Sequence, residues 1–163
     1  MSARSAEDLF LLSDVDPGLL AAERDRVLAD LRLAVPEAEI FEVGSTAVAG
    51  VIGKGDLDLL VRAEAGRFDA VRGQLDAILA RNPDQLSSEI YQGYRVDSPL
   101  DVAVQLTATG CSHDNFLAFL DALRADEGLV ARYNDLKRAW HGRPMEAYRR
   151  AKGEFIRAVL DRS

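Results

Sequence analysis

Residues 41–61 read FEVGSTAVAGVIGKGDLDLLV. The stretch opens as a strand, breaks at Gly44-Ser45, crosses a loop with three more glycines, and re-enters a strand carrying Asp56 and Asp58. Alternate residues of a strand share a face. Asp56 and Asp58 therefore project together, and Leu57, Leu59 and Val61 project the other way. Two ionised carboxylates this close repel each other, and a cation between them relieves the repulsion. Hard oxygen donors of this kind suit Mg2+ or Mn2+, with substrate phosphates completing the shell. Taken alone, Asp-Leu-Asp reads better as a half-exposed strand with polar residues on its wet side.

The preceding Gly44-Ser45 changes that balance. It stands where a strand gives way to a turn or short helix. Free backbone N–H groups beside a small hydroxyl form a natural phosphate cradle, and glycine lets backbone approach an anion closely. One segment thus offers a phosphate seat and, ten residues on, a two-carboxylate metal seat. GVIGKG, residues 50–55, is not a P-loop, because the Gly-x4-Gly-Lys-Ser/Thr spacing is absent. A third carboxylate, Asp101, begins the strand-like run LDVAVQLT and shares a face with Ala103 and Gln105. If that strand neighbours the one with Asp56 and Asp58, the three carboxylates meet. They would then hold metal ions and leave one group near an attacking hydroxyl. A turn residue after Pro99 is an equally weighted reading of Asp101.

The rest of the chain frames this site. Its 163 residues, 48% hydrophobic, point to one domain over 1–163. The 27 acidic and 20 basic residues leave a net charge of −7, which argues against an extended nucleic-acid surface. There is no apolar run long enough to span a membrane, MSARSAEDLF lacks the apolar stretch expected of a secretory signal, and the single Cys111 forms no internal disulfide. A cytoplasmic location is the expectation. Asp16-Pro17 predicts a helix start, with Leu19, Leu20, Val27, Leu28 and Leu31 at helical spacing and a stop at Pro36. Strands are expected over 38–43 and 56–63, a helix over 66–81, and a hairpin from SEIYQGYRV and LDVAVQLT. Residues 1–14 read as a loose start. From Ser112 onward three helices are expected. The order predicts an α+β fold: a mixed β-sheet core over about 16–110 with a C-terminal helical lobe over about 112–163.

The ordered residues resemble a known family. Gly-Ser, ten residues, then Asp-Leu-Asp-Leu is similar to the active-site motif of the DNA polymerase beta-like nucleotidyltransferases. The match is closer to the GrpB-like family within them, at Gly44, Ser45, Thr46, Val48, Gly50, Lys54 and Asp58. The tail matches as well, with Arg124, Tyr133 and Lys137, Tyr148 and Lys152, then Phe155-Ile156. The resemblance covers about residues 16–160. The chain departs from the family pattern at Glu42, where His is usual, at Ala49 and Gly55, where Pro is usual, and at Leu120, where Arg is favoured. Asp56 stands where many members carry an apolar residue, which brings the chain nearer the three-carboxylate pattern of active transferases.

The resemblance implies a nucleotidyltransferase-like fold. It implies transfer of a nucleoside monophosphate from a nucleoside triphosphate to a hydroxyl of an unspecified acceptor, with Mg2+ or Mn2+ as cofactor. Gly44, Ser45, Thr46, Lys54, Lys137 and Lys152 would bind the nucleotide. Asp56, Asp58 and Asp101 would be the catalytic and metal-holding residues. The competing reading is a non-catalytic nucleotide-binding or interaction module on the same fold. Tyr133 and Tyr148 sit four residues from Lys137 and Lys152, on one helical face, and read as core residues. Trp140 and Cys111 also read as core, and His113 and His141 are too isolated to be ligands.

Overall fold

The computed structural model describes residues 8–111 and 114–162. Ser112, His113 and the first seven residues of the expected loose start lie outside the described residues.

Helix α1, Pro17–Ala34, begins as the sequence expects: the Asp16 carboxylate accepts from the Gly18 N–H, and Pro17 occupies the first turn, where its missing N–H costs nothing. Strand β2, Glu39–Val43, and strand β3, Leu57–Ala63, follow on either side of the Gly44–Gly55 loop. The second helix is shorter than the apolar spacing over 66–81 suggests. It spans Phe68–Asp76 as α2, after a single 3-10 turn at Ala65–Arg67. The chain then turns, with the N–H groups of Ile78 and Leu79 both donating to the Leu75 carbonyl. Asp76 accepts two hydrogen bonds from the Arg81 guanidinium, at 2.9 and 2.8 Å, which draws the chain back on itself. Ala80–Arg81 therefore leaves the helix and pairs as β4 with β5, Tyr91–Arg95.

Strand β6, Val102–Ala108, returns antiparallel to β5 as the expected hairpin. The sheet order is β2-β3-β6-β5-β4. Only β3 and β6 run parallel. Three helices close the chain: α3 over Phe116–Ala125, α4 over Glu127–Trp140 and α5 over Met145–Leu160. The expected loose start is partly ordered. Leu9–Phe10, β1, pairs with Arg143–Pro144, β7, and Phe10 stacks on Tyr148 at 3.7 Å between ring centres.

The sheet has two different faces. Leu57, Leu59, Val61, Val102, Val104, Leu106 and Tyr94 pack with α1 and α2 in one buried apolar cluster. The other face turns Phe41, Val43, Leu60 and Asp58 toward α3, α4 and α5. There the apolar cluster is smaller and covers the β2–β3 side of the sheet. The rest of that face is where the polar residues of the opening motif emerge. No helix among the described residues is long and apolar enough to cross a membrane.

Candidate functional site

Gly44 ends β2 at φ 76°, ψ −165°, a conformation open to glycine and few other residues. A Cβ at this position would collide with the Asp58 carboxylate. The bare backbone thus lets the turn lie directly against the acid. Ser45–Ala47 make one 3-10 turn. The Ser45 hydroxyl packs into the space left by the missing side chain of Gly53. Thr46 Oγ1 is buried and has no hydrogen-bond partner among the described residues. Ser45 and Thr46 border an open cavity of about 520 Å3, lined also by the 51–55 loop and by residues 12–15. Its volume lies in the range usual for small-molecule sites, roughly 300–1,000 Å3.

The parallel register Leu57↔Val102 sets Asp56 and Asp101 side by side, each just before its strand. The Leu57 N–H donates to the Asp101 carbonyl at 2.9 Å. The neighbouring-strand condition on Asp101 is thus met in the backbone. The side chains do not gather into one cluster. Asp101 is 75% exposed, Asp56 is 16% exposed, and the Lys54 ammonium lies 3.8 Å from a carboxylate oxygen of each. Among the described residues, no three His, Cys, Asp or Glu side chains come close enough together to hold a metal ion. The expected three-carboxylate cage is therefore not assembled: Asp101 stands at the solvent edge of its strand, and a lysine occupies the space toward Asp56.

Asp58 is the deepest of the three. Burial, and then the charge of Asp56, push its carboxyl up to about 7, against the pull of Lys152 and Lys54. An acid held this way is relieved by a cation. Two carboxylates completed by substrate phosphates are the common arrangement for Mg2+, and Asp56 and Asp58 are the residues here that could hold such an ion.

Lys137 faces the carboxylates from α4. It is only 4% exposed, and its ammonium lies 4.7 Å from the centre of the Tyr133 ring. Among the described residues it forms no ion pair and no hydrogen bond. Burial and the neighbouring Lys152 lower it to about 8, while Asp56 and Asp58 pull the other way. Lys152, on α5, borders a small apolar cavity together with Gly44, Phe119 and Tyr133. The two lysines paired with tyrosines in the sequence thus converge on one site from two helices. The tyrosines are core residues: Tyr133 and Tyr148 are both buried, which pushes their hydroxyls far up.

Three further residues lie against the motif: Asn134 and Tyr91, which no sequence signal named, and Arg124, named only as part of the family match in the tail. Asn134 clamps the lobe onto the motif loop: its side-chain oxygen accepts from the Ile52 N–H at 3.0 Å, and its amide donates to the Gly50 carbonyl at 2.8 Å. An asparagine beside a core tyrosine in mid-helix gives no hint of this partner 82 residues away. Arg124 donates to the Ala47 carbonyl at 3.0 Å and ties α3 to the same loop. Tyr91, on β5, is near enough that the charge of Asp58, added to burial, raises its hydroxyl to about 12.

Several departures from the family pattern also find a place. Glu42 faces the α1 side of the sheet and ion-pairs with Arg24, away from the motif. Leu120 is buried in the lobe core. His141 accepts a hydrogen bond from the Leu12 N–H at 2.9 Å and so anchors the N-terminal segment. Trp140 packs partly buried beside Phe10 and Tyr148. Cys111 is a free thiol packed at the margin of the α1–α2 core.

This mixed sheet, with a Gly-Ser turn leaning on its acidic strand and a helical lobe over one face, is a nucleotidyltransferase-like fold. Within that class the chain belongs to the GrpB family, whose model, described as GrpB protein, matches residues 16–162. A UPF0157 protein of Vibrio cholerae is 33% identical over 132 residues, covering 80% of this chain and 70% of its own. Among solved structures, the conserved protein GrpB from Enterococcus faecalis superposes with a TM-score of 0.68 at 18% identity, over 93% of this chain and 98% of that one. The Cid1 structure, described with RNA terminal uridylyl transferase activity, matches at a TM-score of 0.53 and 16% identity. That match covers 75% of this chain and 39% of Cid1. At these identities the two structures speak for the fold.

Proposed function

We propose that the chain is a divalent-metal-dependent nucleotidyltransferase, moving a nucleoside monophosphate from a nucleoside triphosphate to a hydroxyl of an acceptor. The observation that carries this reading is Lys137, a buried ammonium that forms no ion pair among the described residues and lies within reach of the charges of Asp56 and Asp58. A buried charge without a partner is costly, and a polyphosphate offers the missing anion. Lys54, Lys137 and Lys152 would offset its charge. Gly44, Ser45 and Thr46 would seat it through backbone N–H groups and two hydroxyls, one of them the orphaned Thr46 Oγ1.

Asp56 and Asp58 would hold Mg2+ or Mn2+, which supplies charge stabilisation on the transferring phosphoryl group. The acceptor oxygen forms a bond to the α-phosphorus, the bond from that phosphorus to the bridging oxygen breaks, and pyrophosphate leaves in line. The hydroxyl proton passes to Asp101, whose exposed carboxylate is open to a second substrate. An RNA acceptor, as in the terminal uridylyl transfer of Cid1, is disfavoured by the net charge of −7. A smaller hydroxyl compound fits the acidic surface better.

The exposure of Asp101 favours a second reading, a nucleotide-binding module without catalysis. Thermal-shift measurements with the four ribonucleoside triphosphates, with and without Mg2+, test the shared part of both readings. A rise in melting temperature that needs Mg2+ is expected. Absence of any rise with all four would remove both readings. Pyrophosphate release in the presence of small alcohols and sugars then separates the enzyme from the module.

A further inference from the structure

The cleft carries its own cation. Lys54 lies on the loop between the phosphate-seating turn and the acidic strand, two residues before Asp56. Its ammonium stands 3.8 Å from Asp56 and 3.8 Å from Asp101. Both distances are ion-pair distances and too long for hydrogen bonds. The side chain is 34% exposed, and pairs at this exposure are weak and easily exchanged. Lys54 therefore sits between two carboxylates without being locked there.

A divalent ion bound to Asp56 needs oxygen donors at about 2.0–2.1 Å. It would meet the lysine ammonium at close range, cation against cation. Both cannot use the Asp56 carboxylate at full strength. The displaced ammonium has an obvious place to go. The loop that carries it borders the cavity shared with Ser45 and Thr46, where polyphosphate oxygens are placed by the reading above.

We propose that Lys54 is a resident counter-cation of the Asp56–Asp101 pair, that the divalent ion displaces it, and that the released ammonium binds the polyphosphate. The proposal rests on the nucleotidyltransferase reading and adds a specificity device to it. Metal without nucleotide must compete with Lys54. Metal arriving with its polyphosphate trades places with Lys54, because the lysine gains a phosphate partner as it leaves the carboxylates. The site is thereby biased toward the metal–polyphosphate complex over the bare ion, an instance of reciprocal coupling between two ligands.

The test separates this device from the reading beneath it. Mn2+ alone is titrated into the wild type, Lys54→Met and Asp58→Asn, with free ion followed by its paramagnetic resonance signal. Inorganic tripolyphosphate, without metal, is titrated into the first two by calorimetry. Removing Lys54 should tighten Mn2+ binding about three- to tenfold, the scale of losing two part-exposed ion pairs. The same substitution should weaken tripolyphosphate about tenfold, the scale of one charge-assisted bond. Asp58→Asn should bind no Mn2+. Opposite signs for the two ligands are the signature, since a lysine that merely supports the loop would move both in one direction. Lys54→Gln repeats the measurement with a polar side chain and guards against a local packing effect of methionine. Equal or weaker Mn2+ binding by both Lys54 variants, with the wild type binding normally, overturns the displacement and leaves the metal seat standing. No Mn2+ binding by the wild type or by either Lys54 variant overturns the seat and the displacement together.

Discussion

The two faces of the sheet are built to different rules. Against α1 and α2, the inward strand residues are mostly apolar and the polar ones are paired: the Tyr94 hydroxyl bonds to Arg72 and Asp76, the Gln92 side chain to Ser87 and Gly93, and Glu42 to Arg24. Against α3, α4 and α5, the same strands present Val43 and Leu60 beside Asp58, and the lobe answers with Phe119 and Tyr133 beside Lys137. The first face is a closed core in which each group is already satisfied. The second holds an acid pushed up to about 7 and a lysine lowered to about 8, each within reach of the other's charge. Perturbed groups of opposite sign brought together in this way are the pattern of a candidate functional site. Fold stability should therefore live mainly on the first face, and ligand-linked stability on the second.

The strongest way to break this contrast is Leu59→Ala. Leu59 is fully buried under α1 and α2. Truncating such a leucine leaves a cavity and costs about 2–5 kcal/mol. Chemical denaturation should show that loss at every pH, and added Mg2+ with nucleotide should leave the difference between variant and wild type unchanged. A loss under about 1 kcal/mol, or one that ligand cancels, would mean that the first face is not the main store of stability.

The same division explains what the sequence discloses. The closed face is legible because it follows a period of two: Leu57, Leu59 and Val61 declare their side, and so do Val102, Val104 and Leu106. Asp56, Asp58 and Asp101 are legible by contrast with that pattern. The overlong helix over 66–81 has a different cause. Ile78 and Leu79 continue the apolar spacing, but the bidentate pair between Asp76 and Arg81 turns the chain, and a side-chain pair of that kind leaves no mark on periodicity. Asn134 and Tyr91 stayed hidden, and the contact of Arg124 with Ala47 with them, because these roles depend on where separate elements meet. The position of Lys54 between Asp56 and Asp101 is of the same kind. Each partner is visible alone, and only the parallel register of β3 and β6 joins them.

A second test sharpens the contrast with a change of opposite sign. Asp58→Asn removes the repelled acid and keeps its shape. The native carboxyl titrates near 7, and its ordinary value is 3.8. Between about pH 4 and pH 7 the unfolded chain has released this proton while the native chain still holds it. Native stability contributed by Asp58 therefore falls as pH rises through that window and levels off above 7. Asparagine does not titrate. The variant should match the wild type near pH 4 and exceed it by about 1–2 kcal/mol at pH 8 without metal, with part of the gain offset by lost attraction to Lys152 and Lys54. Metal-dependent nucleotide binding should vanish at the same time. Calorimetry and pH-resolved denaturation measure both. A variant less stable than the wild type at pH 8 would mean that the carboxylate holds the Gly44 turn by contacts that asparagine cannot replace.

The smallest expected effect on stability, and the one that separates the two faces most cleanly, belongs to Lys137→Met. Methionine fills the same space beside Tyr133 without the charge. The native ammonium is lowered from 10.5 to about 8, first by burial and then by Lys152. Between about pH 8 and pH 10.5 the native chain has given up this proton while the unfolded chain still holds it, so native stability rises with pH across that window. Below pH 8 the wild type carries the full cost of the buried charge. The variant should thus be more stable by about 1 kcal/mol at pH 7, with the advantage fading toward pH 10.5. Its binding should move the other way. A charge-assisted bond to phosphate contributes roughly 1.5–3 kcal/mol, so a nucleoside triphosphate should bind on the order of tenfold or more weakly. The corresponding nucleoside presents no such charge, and its binding should hardly change. Equal losses for both ligands would assign Lys137 to the packing of α4. Unchanged triphosphate binding with raised stability would leave the lysine a buried charge with no anion to meet, and would confine the phosphate site to the Gly44–Ser45 turn and the sheet.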